Sequence, residues 1–156
     1  MCLEQNKAIV LEFYTAFDNQ DIERGRKLVS ADIIARGLDK KPLQGYDAVM
    51  QYGNMMFAAF PDGKHILEEV IAEGDKVVTR GIFQGTHRGE LMGIPPTGKQ
   101  VTFAVVHIDR LKNGKIVEHW GQGDVRELMQ QLGIVFFPSP KLMLYSLKKV
   151  LLKIGN

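Results

Sequence analysis

The chain has 156 residues, 45% of them hydrophobic and 24% charged, which suffices for one closed hydrophobic core and is too short for two. That balance excludes a disordered, tail-dominated chain. The formal net charge of +2 does not point to nucleic acid: four lysines (Lys141, Lys148, Lys149, Lys153) follow Glu127, the last acidic residue, and without them 16 basic groups face 18 acidic ones, whereas a nucleic-acid binder carries its basic footprint on the folded domain.

The single cysteine, Cys2, cannot form an internal disulfide, and no pair of histidines has zinc-motif spacing. Glu4, Lys7, Glu12 and Asp18 interrupt any leader-like apolar run, and no other stretch approaches the span of a bilayer. A cytoplasmic location is the default expectation, with neither a cofactor nor a metal implied.

From about Glu4 to Phe17, Val10, Phe13, Tyr14 and Phe17 recur at helical spacing and predict a first helix with one face for burial. Asp21 is a good N-cap for a short second helix, and Ile33 and Ile34 give a brief strand signal. A third helix is predicted from about Tyr46 to Phe60, where Pro61 bars its continuation. After Gly63 the period changes. Ile66 to Ala72, Val77 to Thr86, Val101 to Leu111 and Ile116 to Gly121 are rich in β-branched residues and separated by turn signals. Helices first and a meandering sheet afterwards predict an α+β fold, with about three N-terminal helices covering one face of a curved antiparallel sheet.

Asp124 with Glu127 three residues on predicts a capped short helix ending at Gly133. Pro138 and Pro140 then set off residues 138–156 as an extra, basic amphipathic C-terminal helix with Leu144, Leu147, Leu151 and Ile154 on one stripe. This tail is expected to pack on its own domain or on a second copy of the chain, a homodimer. Its basic stripe also suits an anionic membrane surface.

The last hairpin carries the cluster that could do chemistry. If Lys112-Asn113-Gly114 is a three-residue loop, His107 falls opposite His119, and this register is preferred. If Asn113-Gly114 is a two-residue turn, His107 pairs with Trp120 and His119 goes to the other side of the sheet. A histidine in an apolar strand suits proton transfer, although a buried His bonded to a backbone carbonyl reads the same way. His65 and His87 sit beside turns and are expected to be solvated. Asp124 is either a base at the end of a strand or a helix cap, with the cap expected. Trp120 is read as core in preference to a stacking platform.

The run from Gly85 to Lys99 (Gly-Thr-His-Arg-Gly-Glu-Leu-Met-Gly-Ile-Pro-Pro-Thr-Gly-Lys), the run from Asn113 to Trp120 and Gln131-Leu132-Gly133 resemble SnoaL-like polyketide cyclases, within the nuclear-transport-factor-like superfamily. With Asn6 to Asp21 and Ala58-Ala59-Phe60-Pro61-Asp62, the likeness covers about residues 5 to 134. The resemblance implies a cone-shaped domain over residues 1–137 whose mouth opens into an apolar pocket, with Tyr14, Phe60, Phe103, Val105 and Trp120 among its walls. It also implies cofactor-independent and metal-free intramolecular aldol closure or isomerisation of a small apolar carbonyl compound, with a histidine at His107. The family's aspartate falls on Gly121, and its early polar residue on or beside Ala35. His107, with His119 and Asp124, is therefore expected to carry the chemistry, and a binding module without turnover is the alternative.

Overall fold

The computed structural model describes residues 2–134 and 143–144. Four helices, α1 (Leu3–Asp18), α2 (Ile22–Leu28), α3 (Tyr46–Ala59) and α4 (Val125–Leu132), pack with six strands: β1 (Val29–Arg36), β2 (Leu43–Gln44), β3 (Lys64–Glu73), β4 (Lys76–Thr86), β5 (Gln100–Lys112) and β6 (Lys115–Gly123). The strands form one curled, unclosed sheet in the order β2-β1-β6-β5-β4-β3.

Local chemistry explains the boundaries. Asp21 Oδ1 accepts from the Arg24 amide at 3.0 Å and starts α2, and Pro61 follows the end of α3. Asp124 Oδ1 accepts from the Glu127 amide at 2.9 Å, while Gly133 ends α4 at φ 96°, a left-handed position that glycine takes without strain. The Gln131 side chain both accepts from the Thr102 amide and donates to its carbonyl, each at 2.8 Å, which fixes α4 on β5. Burial of Leu128 and Leu132 beneath it contributes about 1.5–3 kcal/mol each.

Two features of the sheet differ from the sequence reading. It is mixed, because β1 runs parallel to β6 while every other neighbour is antiparallel. That pairing joins segments some 85 residues apart, and alternation within a strand does not encode its distant partner. The second difference is the β5–β6 hairpin. Asn113 and Gly114, at φ 53° and 76°, make a two-residue turn with Lys112 opposite Lys115, against the preferred three-residue loop.

That turn alone would send His119 outward. A bulge reverses the outcome: Leu111 pairs with Ile116 but Arg110 with Glu118, leaving Val117 as the extra residue. Asp109 then faces His119 and His107 faces Gly121, so His107, Asp109 and His119 all point into the cone.

Two clusters of buried side chains fill its ends. One gathers Phe60, Phe83, Leu91, Val101 and Leu128, the other Val10, Tyr14, Ile33, Val77 and Ile116. No helix among the described residues is long and apolar enough to cross a membrane. Of the tail helix expected after Pro138, only Met143 and Leu144 fall among the described residues, so its packing lies outside them.

Candidate active site

Between the two clusters lies a cavity of about 170 Å³. Phe13 and Phe17 of α1, Met50 and Met56 of α3, and Phe103 and Val105 of β5 give it apolar walls. Gly37, Met92, Gln122 and Val125 line it and are also exposed, so it opens to solvent where the Leu91–Met92 turn, the end of β6 and the start of α4 border it. Helical spacing brings Tyr14 to the same wall, and strand alternation brings His107, Asp109, His119 and His65. Among the described residues no three His, Cys, Asp or Glu side chains are grouped to hold a metal ion.

The polar groups form one connected system. Asp109 is fully buried; its Oδ2 accepts from the Tyr14 hydroxyl at 3.1 Å, and its Oδ1 accepts from His119 Nδ1 at 2.8 Å. A carboxylate only accepts, so the proton of neutral His119 sits on Nδ1 and the lone pair on Nε2. Asp18 treats His65 alike, taking its Nδ1–H at 2.7 Å and its backbone N–H at 2.8 Å. His107 stands between the two rings, 5.4 Å from His119 and 5.5 Å from His65, and stacks on Tyr14 at 5.0 Å. The Thr79 hydroxyl, 3.5 Å from His107 Nδ1, is at the limit of a hydrogen bond.

Among the described residues, Nε2 of each of these three rings has no protein partner. Among the described residues the buried side-chain polar atoms without a partner are Asn6 Oδ1 and His87 Nε2 alone, so Nε2 of His65, His107 and His119 each reach accessible space.

Electrostatics separates their roles. Burial, then the neighbouring His119 and His65, lowers the His107 pKa to about 2, so its ring is neutral and a poor proton acceptor at ordinary pH. A neutral imidazole can still donate a hydrogen bond to a developing oxyanion. Burial first, and then the Asp109 charge and hydrogen bond, push the Tyr14 phenol well above its usual range, so it remains a donor. The Asp109 carboxylate on Nδ1 fixes the His119 ring and offers a counter-charge to the imidazolium formed when Nε2 takes a proton.

Several expectations are corrected by this arrangement. His65 is nearly enclosed and His87 wholly buried, whereas both were expected to be solvated. Their rings are held by the Asp18 carboxylate and, for His87, by Thr97, whose amide donates to Nδ1 at 3.3 Å. Phe60 does not line the cavity; it is core, edge-on to Phe83. Trp120 lies on the outer face, 50% exposed with the Arg36 guanidinium 5.4 Å from its ring centre, because the bulge that turns His119 inward turns its neighbour outward. Asp124 is exposed, caps α4 and lies outside the lining of this cavity. Ala35 is fully buried beside its register partner His119. Tyr14, Phe103 and Val105 do line the cavity.

Asp109 is the residue that sequence reasoning passed over. Val101, Phe103, Val105, His107, Asp109 and Leu111 are buried in strict alternation, so an acid two places after His107 was bound to share its face.

The family model for SnoaL-like polyketide cyclases matches residues 8–132. The chain belongs to this family. It is 38% identical over 69 residues to nogalonic acid methyl ester cyclase of Streptomyces nogalater, covering 43% of this chain and 52% of that protein. It is 32% identical over 93 residues to aklanonic acid methyl ester cyclase DnrD of Streptomyces peucetius, covering 58% and 63%. The chain thus spans between about half and two thirds of the length of these curated relatives. Among solved structures, AclR from Streptomyces galilaeus superposes with a TM-score of 0.78 at 30% identity, over 86% of this chain and 100% of that one. IdmH from Streptomyces antibioticus gives 0.74 at 29%, over 83% and 99%.

Against the family's acid/base pattern, this SnoaL-like chain has a glycine where the aspartate is expected. A Cβ at Gly121 would stand 3.0 Å from His119 Nε2 and 2.7 Å from a methyl of Leu38. Glycine at this position therefore lets the Leu38 methyl and the His119 ring pack side by side, where any side chain would crowd His119 Nε2. Gly37, at φ 77°, permits the close approach of that same backbone, since a Cβ there would strike the Gly121 carbonyl.

Proposed function

We propose that this protein is a cyclase- or isomerase-type enzyme that moves a proton, without a cofactor, on a small apolar carbonyl compound, with His119 as the base and Asp109 orienting it. One observation carries the reading: a fully buried carboxylate holds His119 by Nδ1 at 2.8 Å, while the ring lines an apolar cavity and its Nε2 has no partner among the described residues.

The substrate carbonyl binds with its oxygen toward the neutral His107 ring. His119 Nε2 removes the α-proton, and the enolate oxygen is stabilised by the hydrogen bond from His107. The surrounding Phe, Met and Val side chains exclude water, which strengthens each of these interactions. Tyr14 stays protonated and fixes the second oxygen of Asp109. The names of the related methyl ester cyclases support a polyketide-like carbonyl ester as the substrate class.

The test is isotope exchange. A panel of cyclic ketones and 1,3-dicarbonyl esters is incubated in deuterated water, and α-deuteration is followed by NMR with the parent and with His119→Gln. Exchange by the parent that falls about 100-fold or more in the variant is expected; equal exchange by both removes His119 as the base. A second reading, a module that binds such compounds without turnover, is favoured by Gly121 at the family's acid/base position. Tight binding with no exchange by the parent would establish it.

A further inference from the structure

The site holds a second carboxylate-held imidazole that removal of one α-proton does not use. Asp18, at the end of α1, takes both the Nδ1–H and the backbone N–H of His65 on β3. The pair is nearly enclosed, with side-chain exposures of 10% for His65 and 13% for Asp18. Aromatic rings hold the imidazole on several sides: Tyr14 at 5.1 Å, Phe83 at 5.2 Å and Phe17 at 5.8 Å. It nevertheless lines the cavity, and its Nε2 is free. A surface histidine has no need of a two-point carboxylate clamp, and this ring, unlike the wholly buried His87, lines the cavity. Here one nitrogen is clamped and the other is offered to the cavity, the same construction as Asp109 and His119.

In strand order His107 on β5 lies between His119 on β6 and His65 on β3. The ring centres of His65 and His119 can be no further apart than about 11 Å, the sum of the two separations from His107. A molecule with an acidic C–H at one end and a second carbonyl at the other fits between two such nitrogens, each about 3 Å from its target.

We propose that His65, positioned by Asp18, is the general acid of this site and delivers a proton to the second carbonyl oxygen as the ring closes. The inference rests on the proposed role of His119 as base. The α C–H bond breaks, its proton goes to His119 Nε2, and the electron pair becomes the enolate. The enolate carbon bonds to the second carbonyl carbon, whose π pair moves to oxygen, and that oxygen takes the Nε2 proton of protonated His65. One proton has been gained by His119 and one lost by His65; water at the mouth resets both, and nothing is oxidised or reduced. Asp18 acts as a positioning residue that holds Nδ1 and the backbone N–H of His65 and so fixes where its Nε2 lies.

This assignment separates two measurements that a single-base site would keep together. The probe is a linear 1,3-dicarbonyl ester with a further ketone placed for ring closure, in deuterated water, with α-exchange and ring-closed product followed in the same NMR sample. Asp18→Asn and His65→Gln are read by the ratio of product formation to α-exchange, each relative to the parent. Their product formation should fall about 100-fold or more through kcat, with KM little changed. Product formation that is unchanged, or that falls only in step with exchange, overturns the assignment. A parent that does not exchange at all speaks against His119 instead, so the two failures are distinct. Should His65→Gln fail to fold by thermal melt, Asp18→Asn keeps the shape of the clamp and carries the same comparison.

Discussion

Replacing Asp109 by Asn is the perturbation whose consequences the structure specifies most fully. The side chain keeps its shape in a fully buried position. Its oxygen can still accept from His119 Nδ1, and its new amide can donate to the Tyr14 hydroxyl, which is able to accept. Two charge-assisted hydrogen bonds become neutral ones, a loss of about 1 kcal/mol each, while the cost of keeping a charge out of water disappears. The net loss of stability is therefore at most about 2 kcal/mol, or a fall in Tm of up to about 8 °C for a chain of this length. Catalysis suffers far more, because the imidazolium formed when His119 takes a proton no longer has a counter-charge; α-exchange should fall by about 10²- to 10⁴-fold. A control independent of substrate is available. The Asp109 charge and hydrogen bond both raise the Tyr14 pKa, so ultraviolet titration should show this phenol ionising at lower pH in the variant, with burial still holding it above the ordinary value. Exchange that stays within about threefold of the parent, in a folded variant whose Tyr14 titration has moved, would refute the role given to Asp109.

Four further outcomes follow from the same geometry. The folded His107 pKa of about 2 lies below the usual 6.5, so between those values the unfolded chain binds the extra proton; stability rises with pH there by up to about 1.4 kcal/mol per unit and is unaffected above it. His107→Phe should flatten that acid slope in urea melts taken from pH 6 down to about pH 4, and an unaltered slope would contradict the assignment. A Gly121→Ala methyl would crowd His119 Nε2 and should slow α-exchange about tenfold by displacing the substrate, with near-parental rates counting against the proposed approach path. Trp120→Ala removes a ring on the outer face and should leave exchange within about twofold; a large loss would mean that Trp120 reaches the pocket after all. Gly114→Val forces a β-branched residue to φ 76° and should cost about 1–3 kcal/mol in denaturant melts; no measurable cost would argue against the two-residue turn.

The helices were legible because their signals are local. Period, the Asp21 and Asp124 caps, Pro61 and Gly133 each act within a turn of the residue that carries them. The strands of the β3–β6 meander were legible for the same reason, and so was the burial of His107. What the sequence hid was relational. Val117 looks like any strand valine, yet as a bulge it decides which face His119 occupies, and β1 gives no local sign that it will run parallel to β6. Asp18 and His65 each look like surface residues, one at a helix end and one beside a turn; only the packing of α1 on β3 makes them a buried pair. The catalytic reading drawn from family likeness placed the weight on His107, whereas burial, with two other imidazoles beside it, lowers that ring's pKa to about 2 and makes it a poor base.

Asp109 fixes the protons of His119, and nitrogen-15 NMR of the labelled protein tests this without any substrate. Across the pH range where the ring is neutral, His119 should show Nδ1 protonated and Nε2 bare, with the Nδ1 proton shifted far downfield by the carboxylate and that shift lost in Asp109→Asn. A His119 that carries its proton on Nε2, or that exchanges freely between tautomers, would contradict the account.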